Sequence, residues 1–283
     1  VSTTLTVFNH DRNSAELTYV YPVVSRRARG VSIGVNLNPD NTCNFRCVYC
    51  QVPDLVFGNG PNIDLPQLET ELRSQLEDVL HGDFMLTRVP EGSRRLNDVA
   101  FSGNGEPTTS PDFGAAVDVV LRVMGELGIL GSTKIVLITN GSRTDRADVE
   151  PALRRLGANS AEIWFKLDAA TEQGAQRINS SNAPLSARIE RLERVATICP
   201  TWIQSCFFAI DGAPPPATEI DAYVALLGSF VARRVPLAGV LLYGIARQSY
   251  QPEAPRLSAL DATWFDALAA RIAELGLSVS VSV

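Results

Sequence analysis

The sequence predicts an α/β fold: a mainly parallel sheet with helices packed outside it, preceded by a small N-terminal β-hairpin. Two observations carry this. From Val31 onward, short apolar runs alternate with segments of helical periodicity, and six strand–helix units follow one another. Alternation of that kind calls for crossover connections and a parallel sheet. Polar, glycine-rich stretches come straight after the predicted strands, where parallel α/β sheets gather their ligands. At 283 residues the chain is long enough for one α/β barrel or two modest domains. We assign residues 1–30 to the hairpin extension and 31–283 to the main body with its C-terminal helix and strand.

The elements follow in order. Leu5–Phe8 and Glu16–Tyr21 alternate in polarity around a turn-rich stretch that contains His10, which predicts the hairpin. Arg26, Arg27 and Arg29 come next and read as a solvated turn or an anion contact. The six units pair the strands Val31–Leu37, Asp98–Phe101, Lys134–Ile138, Glu162–Leu167, Trp202–Ile210 and Leu237–Leu242 with helices. Those helices are Pro66–Leu80, Phe113–Leu127, Asp148–Leu156, Leu185–Thr197, Ala217–Arg233 and Ala262–Leu275. His81 falls at the end of the first helix, where it complements the helix dipole. The strict alternation Ser278–Val283 predicts an edge strand.

Composition narrows the function classes. Hydrophobic residues make up 45% and charged residues 20%, as in an ordinary globular chain. No run of 18 apolar residues exists, so no transmembrane helix is expected, and the first residues show no basic-then-apolar leader. A net charge of −6 weighs against a dominant nucleic-acid surface. Cysteines clustered rather than scattered in pairs point to a reducing, cytoplasmic setting.

Three of the five cysteines, Cys43, Cys47 and Cys50, lie within eight residues at C-x3-C-x2-C spacing. Packing does not demand such a cluster, and a shared metal group does. Three sulfurs on a four-iron cluster leave one iron open to a ligand that is not protein. A structural zinc knot or a disulfide pair is the competing account, but zinc usually takes four Cys or His ligands, and the only histidines are His10 and His81. The loop, with aromatic Tyr49 just before the third cysteine, resembles the cluster loop of the radical S-adenosylmethionine (SAM) superfamily. That resemblance implies a [4Fe–4S] cluster on Cys43, Cys47 and Cys50, with SAM chelated at the fourth iron. It implies a partial (β/α)6 barrel, which six units match better than a closed eightfold one. It also implies an electron donor such as flavodoxin or ferredoxin.

Other stretches fit the same resemblance. Ser102–Thr109 is similar to the Gly-Gly-Glu-Pro element that holds the SAM ammonium, with Gly103, Gly105 and Glu106 in place and Asn104 where the first paired glycine would stand. A plain turn ending the strand is the other reading. Thr139 and Asn140 follow the third strand, and the resemblance puts them near the methionine carboxylate or the substrate. Lys166 and Asp168 share a face at period two, and a buried charge pair there either binds a ligand or is a structural salt bridge. The segment Glu162–Ala169, with Thr171, Ile178 and Asn179, resembles the wybutosine-synthesis subgroup. Gly244 and Arg247 follow the sixth strand, where adenine contacts and a substrate carboxylate or phosphate are expected. Gln204 is expected to face the cavity, and Cys199 and Cys206 are expected to be core residues.

The sequence therefore predicts an enzyme that cleaves SAM to a carbon radical, 5′-deoxyadenosyl in preference to 3-amino-3-carboxypropyl. Lys166, Asp168 and Arg247 are the candidate catalytic residues, lining the barrel mouth opposite the cluster. Tyr49, Gly103, Asn104, Gly105, Glu106, Thr139, Asn140 and Gly244 are the candidate cofactor contacts. A small molecule is expected as second substrate ahead of a tRNA, since no basic tract is present. A metal-stapled binding module without catalysis is the alternative from a different class.

Overall fold

The computed structural model describes residues 4–6, 17–25 and 30–283. Most of the expected Leu5–Phe8/Glu16–Tyr21 hairpin, together with His10 and the three arginines, lies outside them. The chain forms two compact units.

The first unit comprises Val1–Asn44, Gly58–Thr139 and Arg143–Glu162. Strand β1 (Val20–Ser25) pairs antiparallel with β2 (Gly30–Val35), Val20 opposite Val35 and Ser25 opposite Gly30. An antiparallel pair is therefore present, one strand later than the sequence pattern indicated. β2 then pairs in parallel with β3 (Leu96–Phe101), and β3 with β4 (Lys134–Thr139). Helix α1 (Leu65–His81) starts where Asp64 accepts the Gln67 N–H at 3.0 Å, and it buries Leu68, Leu72, Leu76 and Val79 along one stripe. Its buried Glu71 accepts the backbone N–H groups of Thr18, Tyr19 and Val20, so a carboxylate on the helix holds the chain as it enters β1. Helix α2 (Phe113–Glu126) lies against α1, with Arg122 clasping Glu69 and Arg73 bridging Glu69 and Glu126. Helix α3 (Glu150–Ala158) buries Ala152, Leu153 and Leu156.

The second unit comprises Phe45–Phe57, Asn140–Ser142 and Ile163–Val283. Strands β5 (Glu162–Lys166), β6 (Thr201–Phe207), β7 (Leu237–Gly244) and β8 (Val279–Ser282) pair in that order, all in parallel. Helices α4 (Glu172–Asn179), α5 (Leu185–Ala196), α6 (Ala217–Ala232) and α7 (Ala262–Ala273) complete it. Alternation sorts β6 into two faces. Phe207 turns to the helices and packs on Tyr223 and Trp264. Cys206 turns the other way, into an apolar cluster with Val48 and Phe208 against which Tyr49, Ile178 and Tyr243 pack.

Two differences from the sequence pattern have local causes. The expected strand Trp202–Ile210 breaks after Phe207, and Ala209–Ile210 pairs instead, antiparallel, with Leu257–Ser258. Helix α4 escaped notice because its eight residues, Glu172–Asn179, carry too few apolar groups to show a stripe. The legible signal was its cap: the Thr171 hydroxyl accepts the Gly174 N–H at 2.9 Å. Ser180, in the left-handed region at φ 52°, ends it.

Candidate functional site

In the first unit the polar groups gather where β2, β3 and β4 end. The Asn36 amide oxygen accepts the backbone N–H groups of Asn38 (3.1 Å) and Asn104 (3.0 Å), and Asn104 donates its own amide to Asn41 at 2.6 Å. Asn104 thus ties its loop to the segment that leads into Cys43. The glycines beside it are obligatory for packing. A Cβ on Gly105 would lie 2.0 Å from the Thr42 carbonyl oxygen, and one on Gly103, where φ is +151°, would lie 2.3 Å from Asn36 Oδ1. Around Gly105 the buried atoms Asn38 Nδ2, Thr42 Oγ1 and Asn104 Oδ1 have no hydrogen-bond partner. Buried polar atoms without partners are costly, and a polar ligand would satisfy them.

Glu106 is 3% exposed. Its Oε1 accepts the Thr108 N–H (3.2 Å), the Thr108 hydroxyl (2.6 Å) and the Thr139 hydroxyl (2.6 Å). Thr139 therefore reaches the carboxylate from the end of the neighbouring strand. Asn36, a polar residue within an apolar strand run, and Asn38, Asn41 and Thr42 after it are contributors to this group that pattern reading passed over.

In the second unit the site is built on the segment Phe45–Phe57. Its backbone is pinned to the end of α4, Arg46 N–H to the Asn179 carbonyl (3.3 Å) and Val48 N–H to that of Ile178 (2.9 Å). Asn179 then spreads its side-chain amide between two acceptors, Cys47 Sγ at 3.3 Å and Asp168 Oδ2 at 2.8 Å. Asp168, 1% exposed, also accepts the Tyr49 hydroxyl at 2.5 Å and the Cys206 N–H at 2.9 Å. On the far side of the loop the Ser249 hydroxyl donates to the carbonyls of Val48 (2.8 Å) and Cys50 (3.1 Å), while Arg46 and Glu253 form a two-pronged pair at 2.8 Å.

Of the two readings of Lys166 and Asp168, the structural salt bridge is not formed. Lys166 instead donates to the Tyr243 hydroxyl at 2.6 Å and lies 5.0 Å and 5.2 Å from the ring centres of Tyr49 and Tyr243. Burial is the largest single influence and works against its charge, but Asp168, Tyr243, Cys47 and Cys206 together outweigh it and hold the ammonium above its ordinary pKa. Asp168 already accepts from three donors, and the Tyr243 hydroxyl and two aromatic faces accommodate the ammonium. Both residues sit against the cysteine loop itself. Arg247 also reaches that loop, donating to Gln51 Oε1 at 3.4 Å.

The remaining candidates have packing reasons of their own. The space beside Gly244 is closed by the Phe265 ring at 3.4 Å and by Val283. Asn140 accepts the Ser142 N–H at 2.9 Å, and Gly141, at φ +76°, leaves room for the Phe165 ring. Gln204 is buried in register beside Lys166, with its Nε2 unpartnered.

Cys43, Cys47 and Cys50 form no disulfide and are partly exposed, whereas Cys199 and Cys206 are buried, Cys206 beside Val48 and Phe208 with Lys166, Asp168 and Tyr243 close by. Burial pushes the Cys47 thiol up to about 11, and Lys166 acts against that shift. Among the described residues no three His, Cys, Asp or Glu side chains converge on a single-ion site. A cluster differs from one ion in this respect, because three thiolates on three separate irons need not converge.

Fold and site define a class: an α/β chain with polar, glycine-requiring loops at its strand ends and a three-cysteine segment. The family model described as the Radical SAM superfamily matches residues 37–211, more than half of the chain, and the chain belongs to that superfamily. It is 25% identical over 187 residues to a UPF0026 protein of Synechocystis, across 65% of this chain and 59% of that protein. In structure it is similar to a radical SAM methyltransferase from Sphaerobacter thermophilus, with a TM-score of 0.62 and 14% identity over 89% of this chain and 66% of that one. It is also similar to TYW1, solved with a lysine-pyruvate adduct bound, with a TM-score of 0.54 and 17% identity over 87% of this chain and 74% of that one. The chain spans between 20% and 59% of the length of the sequence relatives it matches. The structural likeness bears out the α/β partial-barrel class. Members of that superfamily are iron–sulfur, SAM-dependent enzymes that need a reductant. Among the described residues no helix is long and apolar enough to cross a membrane.

Proposed function

We propose that Cys43, Cys47 and Cys50 supply the three thiolates of the [4Fe–4S] cluster and that the glycine-rich strand-end loop receives the methionine end of SAM. When bound, the cluster supplies the electron that cleaves SAM to a carbon radical, 5′-deoxyadenosyl in preference to 3-amino-3-carboxypropyl. The residues around it bind and orient. Gly103 and Gly105 bring backbone close to the ligand, Asn104 fixes their loop, and Glu106 pairs with the SAM ammonium. Thr139 holds the Glu106 carboxylate in place, and Asn140 shapes the next turn. Lys166 and Asp168 position Tyr49, and with it the loop, while Arg247 borders the substrate side.

One observation carries this reading. Tyr49, inside the cysteine segment, donates to Asp168 at 2.5 Å, so the loop is held by a strand-end carboxylate rather than by the core alone. A small molecule is favoured as the second substrate over a tRNA, since the net charge is −6. Resemblance of Glu162–Ala169 to the wybutosine-synthesis subgroup keeps the tRNA reading as the second one. A flavodoxin or ferredoxin in a reducing cytoplasm fits as the electron donor.

Anaerobic reconstitution followed by reduction in the presence of SAM tests the proposal. Iron and sulfide near four per chain and release of 5′-deoxyadenosine are expected. Loss of iron binding on replacing Cys199 or Cys206 would overturn the ligand assignment. Methylthioadenosine as product would overturn the choice of bond.

A further inference from the structure

The second unit contains a cavity of about 270 Å³ between the ends of β5 and β6 and the helices α4 and α6. Its walls are apolar and stiff, with Ile178, Phe208 and Pro215 among them, and its inner end reaches Asp168. That carboxylate also accepts from Tyr49 of the cysteine segment, so the cavity and the loop share a residue. Pockets of this kind, apolar with a few convergent polar groups, hold small ligands.

Four charged side chains line the cavity, and two of them are already satisfied. Asp168 accepts from three donors, and Arg256 is clasped to Asp211 with its closest contact at 2.6 Å. The other two are Arg177 and Glu219. Their side chains are 48% and 19% exposed, and they stand 4.0 Å apart, beyond hydrogen-bonding distance. Among the described residues Glu219 accepts only the Thr171 hydroxyl, 3.0 Å from each of its oxygens, and Arg177 has no nearer carboxylate. The wall thus presents one donor fork and one acceptor pair, opposite in charge and both with capacity to spare. A lone anion would meet Glu219 and a lone cation would meet Arg177. A zwitterion satisfies both.

We propose that this cavity binds a free α-amino acid with an apolar side chain as the second substrate, its carboxylate on Arg177, its ammonium on Glu219 and its side chain among Ile178, Phe208 and Pro215. The substrate role rests on the radical SAM reading of the adjoining loop; the binding site itself does not.

The test uses the full, cluster-loaded chain with saturating SAM, and titrates L-phenylalanine, 3-phenylpropanoate and 2-phenylethylamine by calorimetry. L-phenylalanine should bind at least about tenfold more tightly than either single-charge analogue, since each lost contact is a charge-assisted hydrogen bond. Arg177→Met should bring L-phenylalanine level with the amine, and Glu219→Gln should bring it level with the carboxylate. Both variants should still cleave SAM at the uncoupled rate, which separates loss of this site from failure of the cluster assignment. The proposal is overturned if L-phenylalanine binds no better than its analogues, if neither variant changes the preference, or if SAM displaces it competitively.

Discussion

Asp168→Asn is the most informative single change, because one carboxylate holds three elements. It accepts from Tyr49 on the cysteine segment, from Asn179 at the end of α4 and from the Cys206 N–H on β6. An amide can keep an oxygen toward Cys206, but its NH2 then faces the amide of Asn179. Asn179 cannot reverse without turning its oxygen toward Cys47, which the same nitrogen now serves at 3.3 Å. One charge-assisted hydrogen bond is therefore lost, worth about 1.5–3 kcal/mol. Lys166 also loses one of the neighbouring charges that favour its protonated form. All three tryptophans, Trp164, Trp202 and Trp264, belong to the second unit, so their fluorescence reports its unfolding. With a urea m-value of about 3 kcal/mol per molar, the midpoint should fall by roughly 0.5–1 M. Asp221→Asn, which removes only an exposed pair with Arg271, is the control and should cost about 0–1 kcal/mol. If Asp168→Asn unfolds within the error of that control, Asp168 does not organise the loop.

Replacing Cys43, Cys47 or Cys50 by Ser should abolish cluster assembly and SAM cleavage together, as read by iron content and nucleoside release. Glu106→Gln should leave iron content unchanged and weaken SAM binding by about 1.5–3 kcal/mol in titrations; unaltered affinity would refute its role. Gly141→Ala should destabilise the second unit by more than about 1 kcal/mol, because φ is +76° and the new methyl would sit 1.9 Å from a Phe165 ring carbon. Glu69 is held below its ordinary pKa chiefly by its bond to Arg122, then by Arg73. A carboxylate whose pKa is lowered on folding stabilises the fold above its unfolded value near 4.3 and loses that contribution as pH falls through the folded value. Glu69→Gln should accordingly flatten the acid-side decline in stability, and added salt should shrink the difference.

Much of the architecture was legible because hydrophobic period depends on local geometry. The boundaries of α1, α2, α5, α6 and α7 lie within two residues of the periodic pattern, since each carries a full apolar stripe. Short elements were not legible in this way: α4 is too polar, and Ala209–Ile210 is a strand only because Leu257–Ser258 lies beside it. The cysteine segment was visible for a different reason, because three thiols in eight residues are a chemical rather than a conformational signal.

By itself the sequence determined that this chain alternates strand and helix, that three thiols are set aside from its core and that glycines guard the strand ends. Periodicity, composition and spacing are properties of neighbours along the chain, and those are written in it. Only the tertiary structure decided who satisfies whom. Period two correctly put Lys166 and Asp168 on one face but could not show that tyrosines, not each other, would be their partners. Nor could it bring Glu219 to within 4.0 Å of Arg177 across more than forty residues. Buried polar groups are obliged to find partners, and which partner is within reach is set by packing between segments distant in sequence.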